Sequence, residues 1–218
     1  LCGRFTLTIS KELIERELGI QINEYHESYN IAPTQNILGV VGSKEGYRAG
    51  YFKWGLVPKW AKDLSIGSKM INARSETIEE KRSFQPLLSR RRCVIVADSF
   101  YEWKREEGKK VPYRIMVNNN QLFTFAGLWD RWEREGQEVI SCTILTVQPN
   151  DLMSEIHDRM PVILDQPSRE LWLNPSVQEE QKLKSVLKPY NADEMSFYQV
   201  SSAVNNPRNN DESLIEQV

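Results

Sequence analysis

The hydrophobic pattern changes period early in the chain and then keeps its new rhythm almost to the end. Leu13, Ile14 and Leu18 recur at helical spacing behind Ser10, a residue suited to an N-cap, and Gly19 follows. This predicts a short helix over Lys11–Leu18. Beyond it the pattern is of short runs rich in β-branched and aromatic residues: Ile37–Val41, Tyr47–Phe52, Cys93–Ala97, Phe100–Lys104, Val111–Val117, Gln121–Ala126 and Val139–Val147. Each predicts a strand. The breaks between them carry turn residues: Gly42-Ser43-Lys44-Glu45-Gly46, Glu106-Glu107-Gly108, Asn118-Asn119-Asn120 and Glu135-Gly136. Further short helices are expected over Thr77–Lys81, Asp151–Ile156 (capped by Asn150) and Val177–Leu187, with one more strand over Pro161–Leu164. Many short strands among few helices predict an α+β fold, a curved antiparallel sheet or open β-barrel with several short helices. With no repeat or linker in view, residues 1–218 read as a single domain. The polar stretch Asn205–Val218 is expected to be partly loose.

Composition adds little until it is resolved along the chain. Hydrophobic residues make up 40% and charged residues 27% of the 218 positions, a globular balance. The apolar runs are too short to cross a bilayer, so no membrane is expected, and a cytoplasmic protein is the default reading. The net charge of −2 hides a segregation. Between Lys53 and Arg92 there are ten Lys or Arg against four Asp or Glu, whereas Asp165–Val218 has five against nine. A locally basic surface is able to hold phosphates on an acidic protein. The alternative for Arg90, Arg91 and Arg92 is a solvated turn before a strand. Cysteines Cys2, Cys93 and Cys142 are odd in number, and with His26 and His157 they match no zinc spacing, so neither a disulfide framework nor a metal is expected. Cys93 and Cys142 lie within apolar runs and read as small buried residues.

Five clusters remain that no structural rule demands: Cys2-Gly3-Arg4-Phe5, Trp54-Gly55-Leu56-Val57-Pro58 with Trp60, Asn72-Ala73-Arg74-Ser75-Glu76-Thr77, Asp98-Ser99-Phe100-Tyr101-Glu102-Trp103 and His157-Asp158-Arg159-Met160-Pro161. Each alone has a structural explanation: tryptophans in the core, a carboxylate at a strand edge, a histidine at a helix end. Together and in order they resemble the SOS-response-associated peptidase family, also called abasic-site processing proteins, from Cys2 to the Val200-Ser201-Ser202 region.

The resemblance implies that residue 1 is removed so that Cys2 becomes an N-terminal 1,2-aminothiol; Leu1 stands where the family has methionine. It also implies a covalent thiazolidine bond to abasic sites in single-stranded DNA, without a cofactor, in a protein expected to act as a monomer. Asn72 would hold the Cys2 amine, Glu102 would move protons in a pocket lined by Tyr101 and Trp103, and His157 would donate to the sugar ring oxygen. Arg4, Arg74 and Arg82 would hold phosphates, and Thr146 would lie near the sugar. Asn30, Pro33, Trp54 and Trp60 would meet the flanking bases. Two other classes stay open: an N-terminal-nucleophile hydrolase or peptidase using the Cys2 thiol, and a non-catalytic nucleic-acid-binding module.

Overall fold

The strand prediction is realised as a closed barrel. A computed structural model describes residues 1–218. In chain order the strands are β1 (Phe5–Leu7), β2 (Ser28–Ile31), β3 (Asn36–Ser43), β4 (Gly46–Trp54), β5 (Asn72–Arg74), β6 (Arg92–Ala97), β7 (Ser99–Glu106), β8 (Lys109–Val117), β9 (Phe123–Arg134), β10 (Gln137–Val147), β11 (Met160–Pro161), β12 (Ile163–Leu164) and β13 (Met195–Gln199). The helices are α1 (Lys11–Leu18), α2 (Gln85–Leu88), α3 (Gln166–Leu173) and α4 (Glu180–Lys184). Strands β4-β3-β6-β9-β10 pair in succession, and β10 returns to β4 through the parallel contacts Ser141↔Lys53 and Cys142↔Trp54. Closure leaves the barrel no free edge at that seam. A second, antiparallel sheet runs β13-β8-β7-β1-β2.

Local chemistry explains most of the joints. Ser10 accepts from the Leu13 amide, and Gly19 adopts the left-handed conformation at φ 63°, so α1 begins and ends where its caps lie. The β7–β8 and β9–β10 hairpins turn on Glu107-Gly108 and Glu135-Gly136, all four residues at positive φ, as a twisted two-residue hairpin requires. Gly42 on β3 has no room for a side chain, because a Cβ there would stand 1.7 Å from the Leu173 carbonyl oxygen at the end of α3.

The main core fills the barrel and the space between it and the second sheet. Phe5 joins the two, tilted against Trp54 at 5.3 Å and edge-on to Phe125 at 5.6 Å. Cys93 and Cys142 are fully buried, as their apolar context predicts.

Several expectations are revised. The predicted Thr77–Lys81 and Asp151–Ile156 helices are 3-10 turns, Ser75–Glu80 and Met153–Glu155, and the helix expected over Val177–Leu187 is only the five residues of α4. The Pro161–Leu164 strand is divided between β11 on β10 and β12 on β9. β1, β2, β5, β13 and α3 had no clear signal in the pattern. The C-terminal stretch is tied down: Leu214 is buried, Val200 bridges Gln217, and Asn30 donates to the carbonyls of Val204, Asn206 and Asn209. Arg92 is no solvated turn. It is buried and donates to five carbonyls, those of Leu88, Ser89, Trp172, Asn174 and Val177, gathering α2 and α3 onto the barrel.

Candidate functional site

The start of the chain runs into a cleft of about 680 Å³ lined by Leu1, Glu102, Trp103, Arg105, Lys110, Ile156, His157, Asp158 and Asn205. Three elements build it. β7 supplies Glu102, held in register by its pairing with Tyr113 on β8. The turn after the Met153–Glu155 helix supplies His157, whose amide closes that turn on the Met153 carbonyl. The third is the start of the chain itself, whose Gly3 passes Ile71, a Cβ there standing 3.7 Å from Ile71 Cδ1. Ile71 leads into β5, which lies parallel to β10 with Asn72 opposite Ile144.

The amine of Leu1 lies 3.0 Å from His157 Nε2 and 3.5 Å from Glu102 Oε2, and the histidine and carboxylate are 3.9 Å apart at their nearest. Glu102 has a side chain only 4% exposed. Burial pushes its carboxyl up to about 7, against the opposing pull of the residue-1 ammonium and the Trp103 amide. His157 is pushed below its ordinary value, first by burial and then by the same ammonium. Its Nδ1 lies 3.1 Å from the Arg159 backbone nitrogen and 3.0 Å from Asp158 Oδ1, and its Nε2 faces the cleft. Cys2 is 1% exposed, and burial and the Glu102 charge push its thiol well up. Asn72 donates through Nδ2 to the Ile144 carbonyl at 3.3 Å, while its Oδ1 is buried with no donor. Glu102 Oε2 likewise accepts no hydrogen bond. Glu102 Oε2 is thus a buried acceptor 3.5 Å from the amine, and Asn72 Oδ1 is a second unpartnered buried acceptor, on β5.

The structure thus gathers Glu102, His157 and the first two residues into one place, with Asn72 on the strand beside the entering chain. The flanking residues divide. Arg74 and Arg82 are exposed, Pro33 is half-buried, and Trp60 is 43% exposed. Trp54 is a correction: it is fully buried, packs on Phe5, and spends its indole N–H on the Ile71 carbonyl, so it has no face for a base. Asn30 is another, since it is buried and its amide is consumed by the C-terminal carbonyls. Thr146 is fully buried and its hydroxyl accepts from Arg159 Nη2 at 3.0 Å. Arg4 turns inward too, donating to Asn30 Oδ1 and the Val204 carbonyl. Tyr101 does not line the pocket; it is buried on the opposite face of β7 and its hydroxyl donates to the Tyr29 carbonyl.

Sequence reasoning missed Arg105 and Lys110, cross-strand partners at the β7–β8 hairpin that place two cations at the rim. Only the strand register reveals their adjacency. It also missed the clamp behind His157. Arg159 is buried and holds Glu76 through two hydrogen bonds of 2.9 Å, fixing the histidine loop to the segment that follows Asn72.

Comparison with known proteins identifies the family. Residues 1–207 match the family model described as SOS response associated peptidase (SRAP). The chain is similar to the abasic site processing protein YoqW of Bacillus subtilis (strain 168), with 51% identity over 99% of each chain. It is similar to the abasic site processing protein HMCES of Mus musculus, with 33% identity over 96% of this chain and 74% of that one. A crystal structure of a Bacteroides thetaiotaomicron protein superposes with a TM-score of 0.90 at 27% identity, covering all of both chains.

Proposed function

Because the chain belongs to the SOS response associated peptidase family, we propose that it processes abasic sites in single-stranded DNA by forming a covalent bond through Cys2. The observation that carries this reading is the amine of the chain start held between His157 and Glu102, with a thiol one residue away. Removal of Leu1 moves the free amine back by one residue, about 3.8 Å along the chain, onto the residue that also bears the thiol. That residue is then an aminothiol close to Glu102 and His157, and Asn72 on β5 is assigned as its third partner.

Each group has a task its surroundings support. An abasic sugar is a cyclic hemiacetal in equilibrium with an open aldehyde. His157 Nε2–H donates to the ring oxygen as the ring opens. The Cys2 amine, with a reference pKa of about 7.7–8.0, is partly neutral near pH 7 and adds to the aldehyde carbon, while Asn72 Oδ1 accepts one of its hydrogens. Glu102, poised near neutrality, gives a proton to the departing hydroxyl, which leaves as water and yields the imine. Loss of that water leaves the imine protonated, and the resulting carboxylate takes the thiol proton as sulfur adds to the imine carbon, so that Glu102 regains its acid form and the ring nitrogen keeps the hydrogen left from the amine. One water is lost overall, and a five-membered thiazolidine joins protein to DNA. The imine also permits β-elimination, so slight strand cleavage accompanies crosslinking.

The peptidase reading requires a readily formed thiolate, and the upward push on the Cys2 thiol opposes it. The deciding experiment incubates the protein with a single-stranded oligonucleotide bearing one abasic site, followed by a denaturing gel and intact-mass analysis. The expected result is a shifted band whose mass is protein lacking Leu1 plus DNA minus one water, absent for Cys2→Ser. A stable adduct formed by Cys2→Ser refutes ring closure, and binding without any adduct points to a non-catalytic binding module.

A further inference from the structure

Glu102 shares its cleft with two residues to which the reaction assigns no task, Trp103 beside it on β7 and Asn205 far along the chain. Asn205 ends the Ser202–Asn205 3-10 turn. Its Oδ1 accepts the indole N–H of Trp103 at 2.7 Å. The Arg4 guanidinium stands over the same indole, 5.7 Å from the ring centre, and donates to the Val204 and Asn205 carbonyls. The indole is therefore held at its edge by one residue and across its face by another. Trp103 also packs against the small cluster of Tyr101, Val200, Val204 and Leu214, which ties the turn to β7.

The turn that carries Asn205 is itself immobilised. The buried amide of Asn30 donates to the carbonyls of Val204 and Asn206, on either side of Asn205, and to that of Asn209. On a loose chain end, ordering an exposed asparagine for one hydrogen bond would cost conformational entropy. With its backbone fixed on both sides, the Asn205 side chain is a preset acceptor.

The consequence falls on Glu102. Its Oε1 accepts the Trp103 backbone N–H at 3.2 Å, while Oε2 is left without a partner, 3.5 Å from the amine. The carboxyl is buried, although Arg105, Lys110 and Asp158, which line the same cleft, are exposed. Once Leu1 is removed, Trp103 and Ile156 are the apolar groups left among the lining residues. An indole free to swing would admit water to the carboxyl and weaken the burial that sets its proton affinity.

We propose that Asn205 is a positioning residue for the reaction: by accepting the Trp103 indole N–H, it holds that ring as a wall that keeps water from Glu102. This deepens the preceding reading and rests on it for the task of Glu102. The C-terminal turn is then part of the reaction centre, although it touches none of the reacting atoms.

Two substitutions test it. Asn205→Ala removes the acceptor, and Asn205→Asp keeps it. Asn205 is exposed and its backbone contact with Arg4 survives either change, so both leave the fold intact. The charge added by Asn205→Asp pushes a nearby carboxyl up, so it cannot imitate a loss of burial. Carbon-13 NMR of labelled glutamate carboxyls follows the Glu102 titration, assigned by the signal missing from Glu102→Gln. The midpoint, about 7 in the wild type, is expected to fall by about one pH unit or more in Asn205→Ala and not to fall in Asn205→Asp. At pH 7 a fall of one pH unit cuts the protonated fraction from about one half to about one eleventh. Adduct formation with saturating abasic oligonucleotide should then slow by about fivefold, with the half-saturating concentration unchanged. A wild-type midpoint in Asn205→Ala, or a lowered one in Asn205→Asp, overturns the proposal. The two readings fail separately. No adduct from the wild type sinks the covalent reading whatever the midpoint does, and an adduct with an unmoved midpoint in Asn205→Ala sinks only this one.

Discussion

Glu102→Gln is expected to change how stability depends on pH, by an amount set by burial. In the folded protein the Glu102 carboxyl is pushed from 4.5 to about 7, chiefly by loss of solvent. The folded state therefore holds this proton more tightly than the unfolded chain does. Between pH 4.5 and pH 7 it binds more protons than the unfolded state, so stability falls as pH rises through that window and is level on either side. The gap between 4.5 and about 7 corresponds to about 3 kcal/mol at ~1.36 kcal/mol per pH unit, roughly a few hundredfold in the folding equilibrium. Glutamine has nearly the same shape and no charge to desolvate, so the variant escapes that loss. Urea unfolding of both proteins at pH 4 and pH 8 measures it. Other titrating groups are common to both proteins and cancel in the difference, leaving a relative gain for Glu102→Gln of about 3 kcal/mol at the higher pH. The same substitution should slow adduct formation, since an amide cannot pass the proton. If the stability difference stays constant between the two pH values, the carboxylate is not held in a desolvating site, and its assignment as proton carrier fails with it.

Other consequences are as specific. His157 should titrate below its ordinary 6.5 when followed by NMR of its ring protons; a midpoint above 6.5 contradicts the buried, ammonium-facing geometry. Trp54→Ala should destabilise by about 3–5 kcal/mol in thermal or urea unfolding, whereas a base-stacking Trp54 would instead weaken DNA binding without loss of stability. Arg159→Met should destabilise by about 1–2 kcal/mol, since the 40% exposed Glu76 is partly resolvated, and should slow adduct formation, because Glu76 loses both its hydrogen bonds and the His157 loop loses its anchor. Burial alone pushes Glu76 up, but those bonds hold it below the usual carboxylate range. The wild-type advantage over Arg159→Met should therefore shrink as pH falls through the folded value of Glu76. A constant advantage across the acidic range would show that the pair adds nothing.

Much of the candidate site was legible as a set of ordered motifs. Cys2, Glu102 and His157 each have a structural explanation alone, and only the order of their clusters along the chain set them apart without coordinates. The residues expected at the DNA were legible only as types. Arg4, Asn30, Trp54 and Thr146 are polar or aromatic in sequence, yet each is consumed by partners far along the chain: Val204 for Arg4 and Asn30, Ile71 for Trp54, Arg159 for Thr146. A hydrogen bond between residues so distant leaves no local trace. Arg92 was misread for the same reason, since its five carbonyl acceptors lie on two separate helical segments and their flanks.

By itself the sequence determined the α+β class, the central hairpins and the caps of α1, which follow from periodicity and turn residues acting over a few positions. The candidate reactive groups came from the family resemblance of the ordered motifs. Tertiary structure alone decided the closure of the barrel through β10 on β4, the minor strands β1, β5 and β13, and the meeting of Glu102, His157 and the chain start across more than 150 residues. It also decided which polar side chains face water and which are spent inside. Pairing and burial depend on what the rest of the chain brings alongside, and no local pattern encodes that.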